Sequence, residues 1–201
     1  MGTNEKYMIK ELIFATNNTH KIEEVADAVG NQFKILSLHE INCYDEIIET
    51  GTTFKENASL KTHFIFDKYG LDCFGDDSGL EIEALNGEPG VFSARYAGKH
   101  GDHEANMQRV LKQLEGIFNR KAQFKTVISL IWQGREFWFQ GIISGTIRTE
   151  ASGNQGFGYD PIFQPHGYEV TFAEMSTSEK NKISHRSKAV AQLIDFLKQL
   201  Y

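Results

Sequence analysis

The sequence predicts an α/β fold with a mixed sheet, and the order of helix and strand patterns along the chain is the main reason. Early in the chain, a short apolar strand pattern at residues 12–15 leads into an amphipathic helix pattern. Late in the chain, two longer strand patterns flank a glycine-containing turn, which is typical of an antiparallel hairpin. Interleaved helices and strands followed by a hairpin favour a sheet with parallel and antiparallel strands.

The elements follow in chain order. After the first strand and the polar residues 16–20, a helix has apolar residues at i, i+3, i+4 and i+7, namely Ile22, Val25, Ala26 and Val29. A second helix is predicted over Phe54–Tyr69, and the apolar run at residues 71–74 predicts a strand that ends near Asp76 and Asp77, before a Ser-Gly turn. Further helices are predicted over residues 102–114 and 188–200, and hairpin strands over residues 124–132 and 137–143.

Length and composition indicate one domain over residues 1–201 and argue against some partners. With 40% hydrophobic residues the chain can bury a sizeable core, and no linker or repeat divides it. A net charge of −6 argues against a general nucleic-acid binder, which needs dense basic patches. With two cysteines, no apolar signal segment and no bilayer-spanning stretch, we expect a cytoplasmic protein without membrane contact.

A polar loop between the first strand and its helix is a candidate anion site. It consists of Thr16, Asn17, Asn18, Thr19, His20 and Lys21. Backbone N–H groups at a helix N-terminus, with hydroxyl, amide and lysine side chains, form a cradle suited to phosphate. Thr and Asn here are also ordinary helix caps, and the loop lacks the glycine spacing and the Gly-Lys-Ser/Thr ending of a P-loop.

Four acidic residues are candidates for a divalent metal site: Glu49, Glu56, Asp76 and Asp77. Mg²⁺ needs only one or two carboxylates, because waters and substrate phosphates complete its octahedron. Glu56 lies inside a predicted helix, where a solvated face is the simpler interpretation. Adjacent strand residues point to opposite faces, so one of the two aspartates is expected to reach a metal and the other to orient the loop.

A basic cluster near the C-terminus is a candidate phosphate-binding segment. It contains Lys180, Lys182, His185 and Arg186. Arginine suits bidentate phosphate binding and lysine suits point-charge neutralisation, although a charged helix start would explain the same residues. The Gly-rich loop at residues 153–160 favours a binding role, because its aromatic side chains and bare backbone suit a flat base.

Together these segments resemble the inosine triphosphate pyrophosphatases, which hydrolyse dITP, ITP and XTP to the monophosphate and pyrophosphate. The resemblance covers nearly the whole chain in the family's order. The matching segments are residues 16–21, 49–58, 76–80, 89–96, 157–161 and 184–186. One departure is Asn17, where the family usually has glycine. Asn17 either narrows the phosphate cradle or changes only the conformation of the loop, and we expect the reaction to be unchanged.

The resemblance implies a long mixed twisted sheet flanked by helices, two lobes with a central cleft, and a homodimer. It implies Mg²⁺ as the cofactor, Asp77 as general base and metal ligand, and Glu49 as the second metal ligand. The implied phosphate contacts are Thr16, Asn18, Lys21 and Lys61. The implied base and sugar contacts are Ser78, Phe157, Gly158, Tyr159, Asp160, Lys180, His185 and Arg186. The remaining residues of the expected substrate site are Asn17, Thr19, His20 and Arg95.

Other classes share parts of this pattern. The Maf-type nucleotide pyrophosphatases have a related fold, but their Ser-x-Ser-x-Arg opening is missing here. A haloacid-dehalogenase-type phosphatase uses an Asp-x-Asp pattern, and the run Asp-Asp-Ser at residues 76–78 lacks that spacing. The non-enzyme alternative is a nucleotide-binding regulator, which would bind ITP without releasing pyrophosphate.

Overall fold

A six-stranded mixed sheet forms the centre of the molecule. The computed structural model describes residues 10–29 and 33–199. In chain order the strands are β1 (Lys10–Phe14), β2 (Phe33–Leu36), β3 (Cys73–Ile82), β4 (Lys121–Trp132), β5 (Arg135–Ile147) and β6 (Phe163–Pro165). Their order in the sheet is β2-β1-β3-β4-β5-β6, with β1 parallel to β2 and β3 and the other pairs antiparallel. The predicted mixed α/β architecture is confirmed.

The α-helices of the described segments are α1 (Thr19–Val29), α2 (Phe54–Tyr69), α3 (His103–Gln113), α4 (Thr177–Ile183) and α5 (His185–Gln199). Helix α2 has the predicted bounds, because Thr53 and Glu56 form a capping box at its start and Gly70 takes φ 66° at its end. Within the described residues, no helix combines the length and apolar character that a bilayer crossing requires.

Helices cover both faces of the sheet. Along β3, even-numbered and odd-numbered residues point to opposite faces. Phe74 stacks on Phe14 in the core that also contains residues of α1 and α5. Cys73, one position earlier, belongs to the core beneath α2. Because successive side chains of a strand point to opposite faces, Asp76 shares the face of Phe74 and Asp77 shares the face of Cys73.

The long strands β3 and β4 run through two hydrophobic cores, which define two lobes. At one end Phe74 and Leu130 pack with α1 and α5. At the other end Leu80 and Phe124 pack with α3. Between these cores β3 carries the polar residues 76–78, and the cleft between the lobes opens there. The two-lobed form with a central cleft is therefore confirmed.

The predicted strand end at the two aspartates is wrong. Strand β3 continues through Asp76 and Asp77 to Ile82 and pairs with β4 over its whole length. On its other side, β1 pairs with β3 only as far as Phe74. The aspartates therefore lie where one neighbouring strand stops, and the carboxylates gain access to the cleft although the strand continues.

The predicted Ser-Gly turn is also wrong, because Ser78 and Gly79 are regular residues of β3. The glycine has a packing role. A Cβ atom at Gly79 would overlap the carbonyl oxygen of Gly90 and the hydroxyl of Ser93. The absent side chain lets the segment containing Gly90 and Ser93 approach the floor of the cleft.

Other boundaries differ in detail. Helix α5 begins at His185, earlier than the predicted residue 188, so the His-Arg pair lies in its first turn. Both hairpin strands are longer than predicted. On α1, Ala26 is exposed and Glu24 is buried, contrary to the predicted apolar face. Strands β2 and β6 were not predicted, since only four and three residues form them. The predicted helix end at Leu200 lies outside the described residues.

Candidate functional site

A cleft of about 820 Å³ lies between the two lobes. Most residues predicted to bind nucleotide or metal line it, namely Thr16, Asn17, Asn18, Lys21, Glu49, Lys61, Asp77, Ser78, Arg95, Phe157, Gly158, Tyr159, Asp160, Lys180, His185 and Arg186. Thr19 and His20, both in the described part of the chain, lie outside this lining. The His20 ring nevertheless stacks on Phe157, with ring centroids 5.2 Å apart. Lys182 is exposed on α4.

The loop before α1 combines helix capping with presentation of a lysine. Oδ1 of Asn18 accepts a hydrogen bond from the backbone N–H of Lys21 at 3.2 Å, and the Thr16 hydroxyl accepts one from the Asn18 N–H at 3.2 Å. The capping interpretation therefore applies to Asn18. The side chain of Lys21 points elsewhere, since its ammonium lies 2.8 Å from Oδ1 of Asp76.

Asp76 is a buried anchor for cations. Besides Lys21, its carboxylate accepts hydrogen bonds from the Ser78 hydroxyl at 2.8 Å and from Nε of Arg186 at 3.5 Å. Burial alone would raise the pKa of Asp76, but Lys21, Arg186 and Lys61 hold it well below its usual range. Because these cations pair with both of its oxygens, Asp76 orients the positively charged side chains of the cleft.

A buried acidic residue that the sequence analysis missed extends this network. The carboxylate of Glu24 accepts a hydrogen bond from Nζ of Lys180 at 2.7 Å and another from Nη1 of Arg186. Lys180 also donates to Oδ2 of Asp160 at 2.7 Å. Burial would raise the pKa of Glu24, but Arg186 and Lys180 lower it. The carboxylates of Glu24, Asp76 and Asp160 thus hold both C-terminal cations in place.

Asp77 faces the opposite side of the sheet and has a different environment. Its Oδ2 accepts a hydrogen bond from Nδ2 of Asn57 at 3.0 Å, and its Oδ1 accepts one from the Ser78 N–H at 2.9 Å. Burial raises the pKa of Asp77, against the opposing effect of Lys61 and Lys21. A raised carboxylate pKa in a cleft is typical of a group that accepts a proton during catalysis.

The positive charge of Lys61 interacts with both Glu49 and Asp77, the two predicted metal ligands. Its ammonium lies 2.5 Å from Oε1 of Glu49 and donates to the backbone carbonyl of Asp76 at 2.8 Å. Burial would lower the pKa of Lys61, but Asp77 and Glu49 raise it, so the lysine is charged. Arg95 lies 3.8 Å from the other oxygen of Glu49.

The carboxylates of Asp77 and Glu49 fit a divalent cation. Both carboxylates line the cleft, and both raise the pKa of the Lys61 ammonium, so together they already stabilise one cation. In the described residues, no three or more His, Cys, Asp or Glu side chains form a metal-binding cluster. Two carboxylates completed by waters and phosphate oxygens are the ligand set that Mg²⁺ accepts.

Glu56, the remaining acidic candidate, serves helix α2. It is exposed, and its Oε2 accepts hydrogen bonds from the backbone N–H groups of Thr52 at 2.7 Å and Thr53 at 3.1 Å. These contacts close the capping box at the start of the helix. The solvated interpretation of Glu56 is therefore the correct one.

The Gly-rich loop at residues 153–160 forms a further wall of the cleft, through its residues 157–160. Nζ of Lys180 lies 5.1 Å from the Phe157 ring centroid, and Cζ of Arg186 lies 5.7 Å from it. The backbone N–H of Phe157 donates to Oδ2 of Asp160 at 2.9 Å, which ties the loop to the buried charge network. Gly156 has φ 72°, and a Cβ there would overlap the Asp160 carboxylate, so only glycine fits.

Two further predicted residues are buried in this wall. The Tyr159 hydroxyl donates to the carbonyl of Ser93 at 2.8 Å and so fixes the loop to the opposite segment. The His185 ring stacks on Phe124 at 4.7 Å, and burial, with Arg186 and Lys180, lowers its pKa well below the usual range. His185 is therefore neutral, and its Nδ1 has no hydrogen-bond partner within the described residues.

Comparisons with known proteins agree on one family. A family model described as the Ham1 family matches residues 12–196. A dITP/XTP pyrophosphatase of Flavobacterium psychrophilum is 53% identical over 188 residues, which are 94% of this chain and 99% of that protein. One from Porphyromonas gingivalis is 50% identical, over 94% of this chain and 98% of that protein. The solved Ham1 protein of Staphylococcus aureus superposes with a TM-score of 0.87 at 39% identity, over 96% of this chain and all of that one.

Proposed function

The chain belongs to the Ham1 family and is a nucleoside triphosphate pyrophosphatase, and we propose that it hydrolyses dITP, ITP and XTP. The products are the nucleoside monophosphate and pyrophosphate. In this role the enzyme removes deaminated purine nucleotides from the nucleotide pool. The reaction takes place in the cytoplasm and depends on Mg²⁺, and the active protein is a homodimer.

One observation carries the proposal: two carboxylates and two lysines meet at one end of a cleft whose other wall is aromatic. Asp77 and Glu49 supply the negative groups, and Lys21 and Lys61 supply the positive ones. A triphosphate needs cations along its phosphates, and a base needs a flat apolar surface such as Phe157. The cleft offers both.

Asp77 is the proposed general base. Its raised pKa makes it a better proton acceptor than an exposed aspartate, while the hydrogen bonds from Asn57 and Ser78 favour its ionised form. It accepts the proton of the attacking water and orients that water for in-line displacement. Lys21 and Lys61 neutralise charge that develops on the phosphate oxygens. A Mg²⁺ ion held by Asp77 and Glu49 would supply further neutralisation.

Base selection is proposed to depend on the 6-oxo group that hypoxanthine and xanthine share. A hydrogen-bond donor opposite this acceptor rejects adenine, because the adenine amino group would leave the donor unpaired. Guanine also carries the 6-oxo group, so its exclusion depends on the 2-position. The guanidinium of Arg186 already donates to Glu24, Asp76 and Ser78. The N–H groups of Phe157 and Asp160 also have partners within their own loop, so we assign the discriminating donor to the backbone N–H groups of Gly158 and Tyr159.

A product assay tests the function directly. The purified protein is incubated with Mg²⁺ and a panel of nucleoside triphosphates, and the products are separated by ion-exchange chromatography. We expect dIMP and pyrophosphate from dITP, with dATP and dGTP much slower. Release of orthophosphate with dIDP would contradict the reaction, and binding of ITP without turnover would favour a regulator. Hydrolysis in ¹⁸O-water identifies the attacked phosphorus, and light scattering measures the oligomer.

A further inference from the structure

Asn57 is a buried side chain that joins three separate parts of the cleft. It lies in the first part of α2 and is fully buried. Its Oδ1 accepts a hydrogen bond from the backbone N–H of Gly51 at 2.8 Å, and its Nδ2 donates to Oδ2 of Asp77 at 3.0 Å. Gly51 follows Glu49 by two residues, so one amide connects the segments that carry both carboxylates.

The chemistry of the partners fixes the orientation of this amide. A backbone N–H can only donate, so the oxygen of Asn57 must face Gly51. The NH₂ group then faces Asp77 and presents a donor to a carboxylate oxygen. Gly51 also packs tightly here, since a Cβ atom would approach Oδ1 of Asn57 to 2.6 Å. The orientation of the Asn57 amide is thus fixed by its contacts with both Gly51 and Asp77.

Helix capping does not require Asn57. The capping box of α2 consists of Thr53 and Glu56, and the backbone N–H of Asn57 donates to the Thr53 carbonyl at 3.1 Å as in any helix. The side chain is therefore committed to its two contacts outside the helix.

We propose that Asn57 is a positioning residue that sets the distance and mutual orientation of Asp77 and Glu49. It holds the Asp77 carboxylate in one rotamer and anchors the Glu49 segment through Gly51. This inference rests on the proposed function for its catalytic consequence, but its structural consequence is independent of turnover. Groups that orient metal-binding carboxylates typically change metal affinity or activity by 10–100-fold when they are removed.

Two variants are compared, Asn57→Asp, which tests kcat, and Asn57→Ala, which tests both kcat and metal affinity. In Asn57→Asp the acceptor for Gly51 remains, whereas an oxygen replaces the donor that faced Asp77. The matched control is Asn106→Asp. Asn106 is likewise buried, and its Oδ1 accepts from the Ala97 N–H at 2.6 Å, but its Nδ2 donates to the Ala94 carbonyl at 3.2 Å instead of a carboxylate.

Three quantities are measured for each protein: the melting temperature, the affinity for Mn²⁺ alone by calorimetry, and kcat and KM for dITP. For both Asn57 variants we expect kcat to fall at least about 10-fold with KM changed less than about 3-fold. We also expect Asn57→Ala to bind Mn²⁺ at least about 5-fold more weakly, whereas in Asn57→Asp the added negative charge opposes this loss and kcat is the readout. Asn106→Asp should lower the melting temperature comparably and leave Mn²⁺ affinity within about 2-fold.

The outcomes separate this inference from the proposed function. If either folded Asn57 variant keeps kcat within about 2-fold of the unmodified protein, or if Asn57→Ala keeps its Mn²⁺ affinity within that range, the positioning role is wrong. Equal losses in the Asn106 control would also overturn it, since they would show a general effect of buried amide loss. If the unmodified protein releases no pyrophosphate, but Asn57→Ala binds Mn²⁺ more weakly, the proposed function is wrong while the positioning role stands.

Discussion

The ammonium of Lys61 and the carboxylate of Glu49 form an ion pair with Nζ and Oε1 2.5 Å apart. In the free protein, therefore, Lys61, which is proposed to bind phosphate, forms an ion pair with Glu49, which is proposed to bind the metal. A metal alone must displace Lys61 from Glu49, whereas a metal and a triphosphate together give each partner a new opposite charge. The geometry thus favours cooperative binding of metal and nucleotide.

The first prediction follows from this competition. Lys61→Met removes the cation but keeps most of the buried stem, so Mn²⁺ alone should bind several-fold more tightly. The same variant should lose about 10-fold or more in kcat/KM for dITP, because a charge-assisted hydrogen bond contributes about 1.5–3 kcal/mol. Lys21→Met is the control, since Lys21 pairs with Asp76 and not with Glu49. Weaker Mn²⁺ binding by Lys61→Met would contradict the competition.

The second prediction concerns Asp77→Asn. The folded-state pKa of Asp77 is raised, so ionised Asp77 destabilises the fold above its ordinary pKa. Asn keeps one oxygen for the two donors, Asn57 Nδ2 and the Ser78 N–H, and removes a charge that burial disfavours, so the melting temperature at pH 7 should fall less than in Asp76→Asn while turnover is nearly abolished. Differential scanning fluorimetry and the pyrophosphate assay measure both effects.

Asp76→Asn provides the contrast for this prediction. Its folded-state pKa is depressed, because Lys21 and Arg186 outweigh the effect of burial. Removing its charge takes the ion-pair partner from Lys21 and leaves the buried Arg186 with one of its two carboxylates, so the melting temperature should fall markedly. Near-normal kcat in Asp77→Asn, or a larger loss of stability in Asp77→Asn than in Asp76→Asn, would show that the roles of the two aspartates are misassigned.

Sequence patterns with local causes predicted their elements well. Helix α2 begins and ends where its capping box and its left-handed glycine require. The hairpin turns at Gln133 and Gly134, both with positive φ, and the predicted strands flank it. In each case the residues that decide the structure are neighbours in the chain.

Features with non-local causes were mispredicted. The strand-end interpretation failed because β3 passes between two cores, so polar residues 76–78 interrupt its apolar pattern without ending the strand. Glu24 was missed because its partners, Lys180 and Arg186, lie 156 and 162 positions away. An acidic residue on an amphipathic helix is ordinarily solvated, and no local signal marks this one as buried.

The third prediction tests Glu24 as a buried counter-ion. Glu24→Gln removes the charge opposite two buried cations, so the free energy of unfolding at pH 7 should fall by roughly 3 kcal/mol. The expected fall in melting temperature is about 6–12 °C for a chain of this length. The control is Glu23→Gln, the exposed neighbour, whose only ion pair within residues 10–29 and 33–199 is a 3.9 Å contact with His20.

The pH dependence of the same variant adds a second test. The folded-state pKa of Glu24 lies below its ordinary value of 4.5, so its stabilisation is present above that value and is lost as the pH falls. Between pH 4.5 and about 3, the melting temperature of the unmodified protein should therefore fall more steeply than that of Glu24→Gln. Parallel pH profiles for the two proteins would rule out the assigned charge on Glu24.

The last prediction concerns Phe157 and the base. Stacking on an aromatic ring contributes about 1–3 kcal/mol per base and tolerates every base, so Phe157→Ala should raise KM for dITP about 5- to 150-fold. The residual rate with dATP should fall by a similar factor, which leaves selectivity unchanged. Phe157→Trp should restore much of the affinity, since it keeps an aromatic face beside Lys180 and Arg186. Inorganic tripolyphosphate has no base, so its inhibition constant should be the same for all three proteins. A matching loss of tripolyphosphate inhibition in Phe157→Ala would instead show that the ring supports the phosphate-binding cations, and the stacking surface would have to lie elsewhere in the cleft.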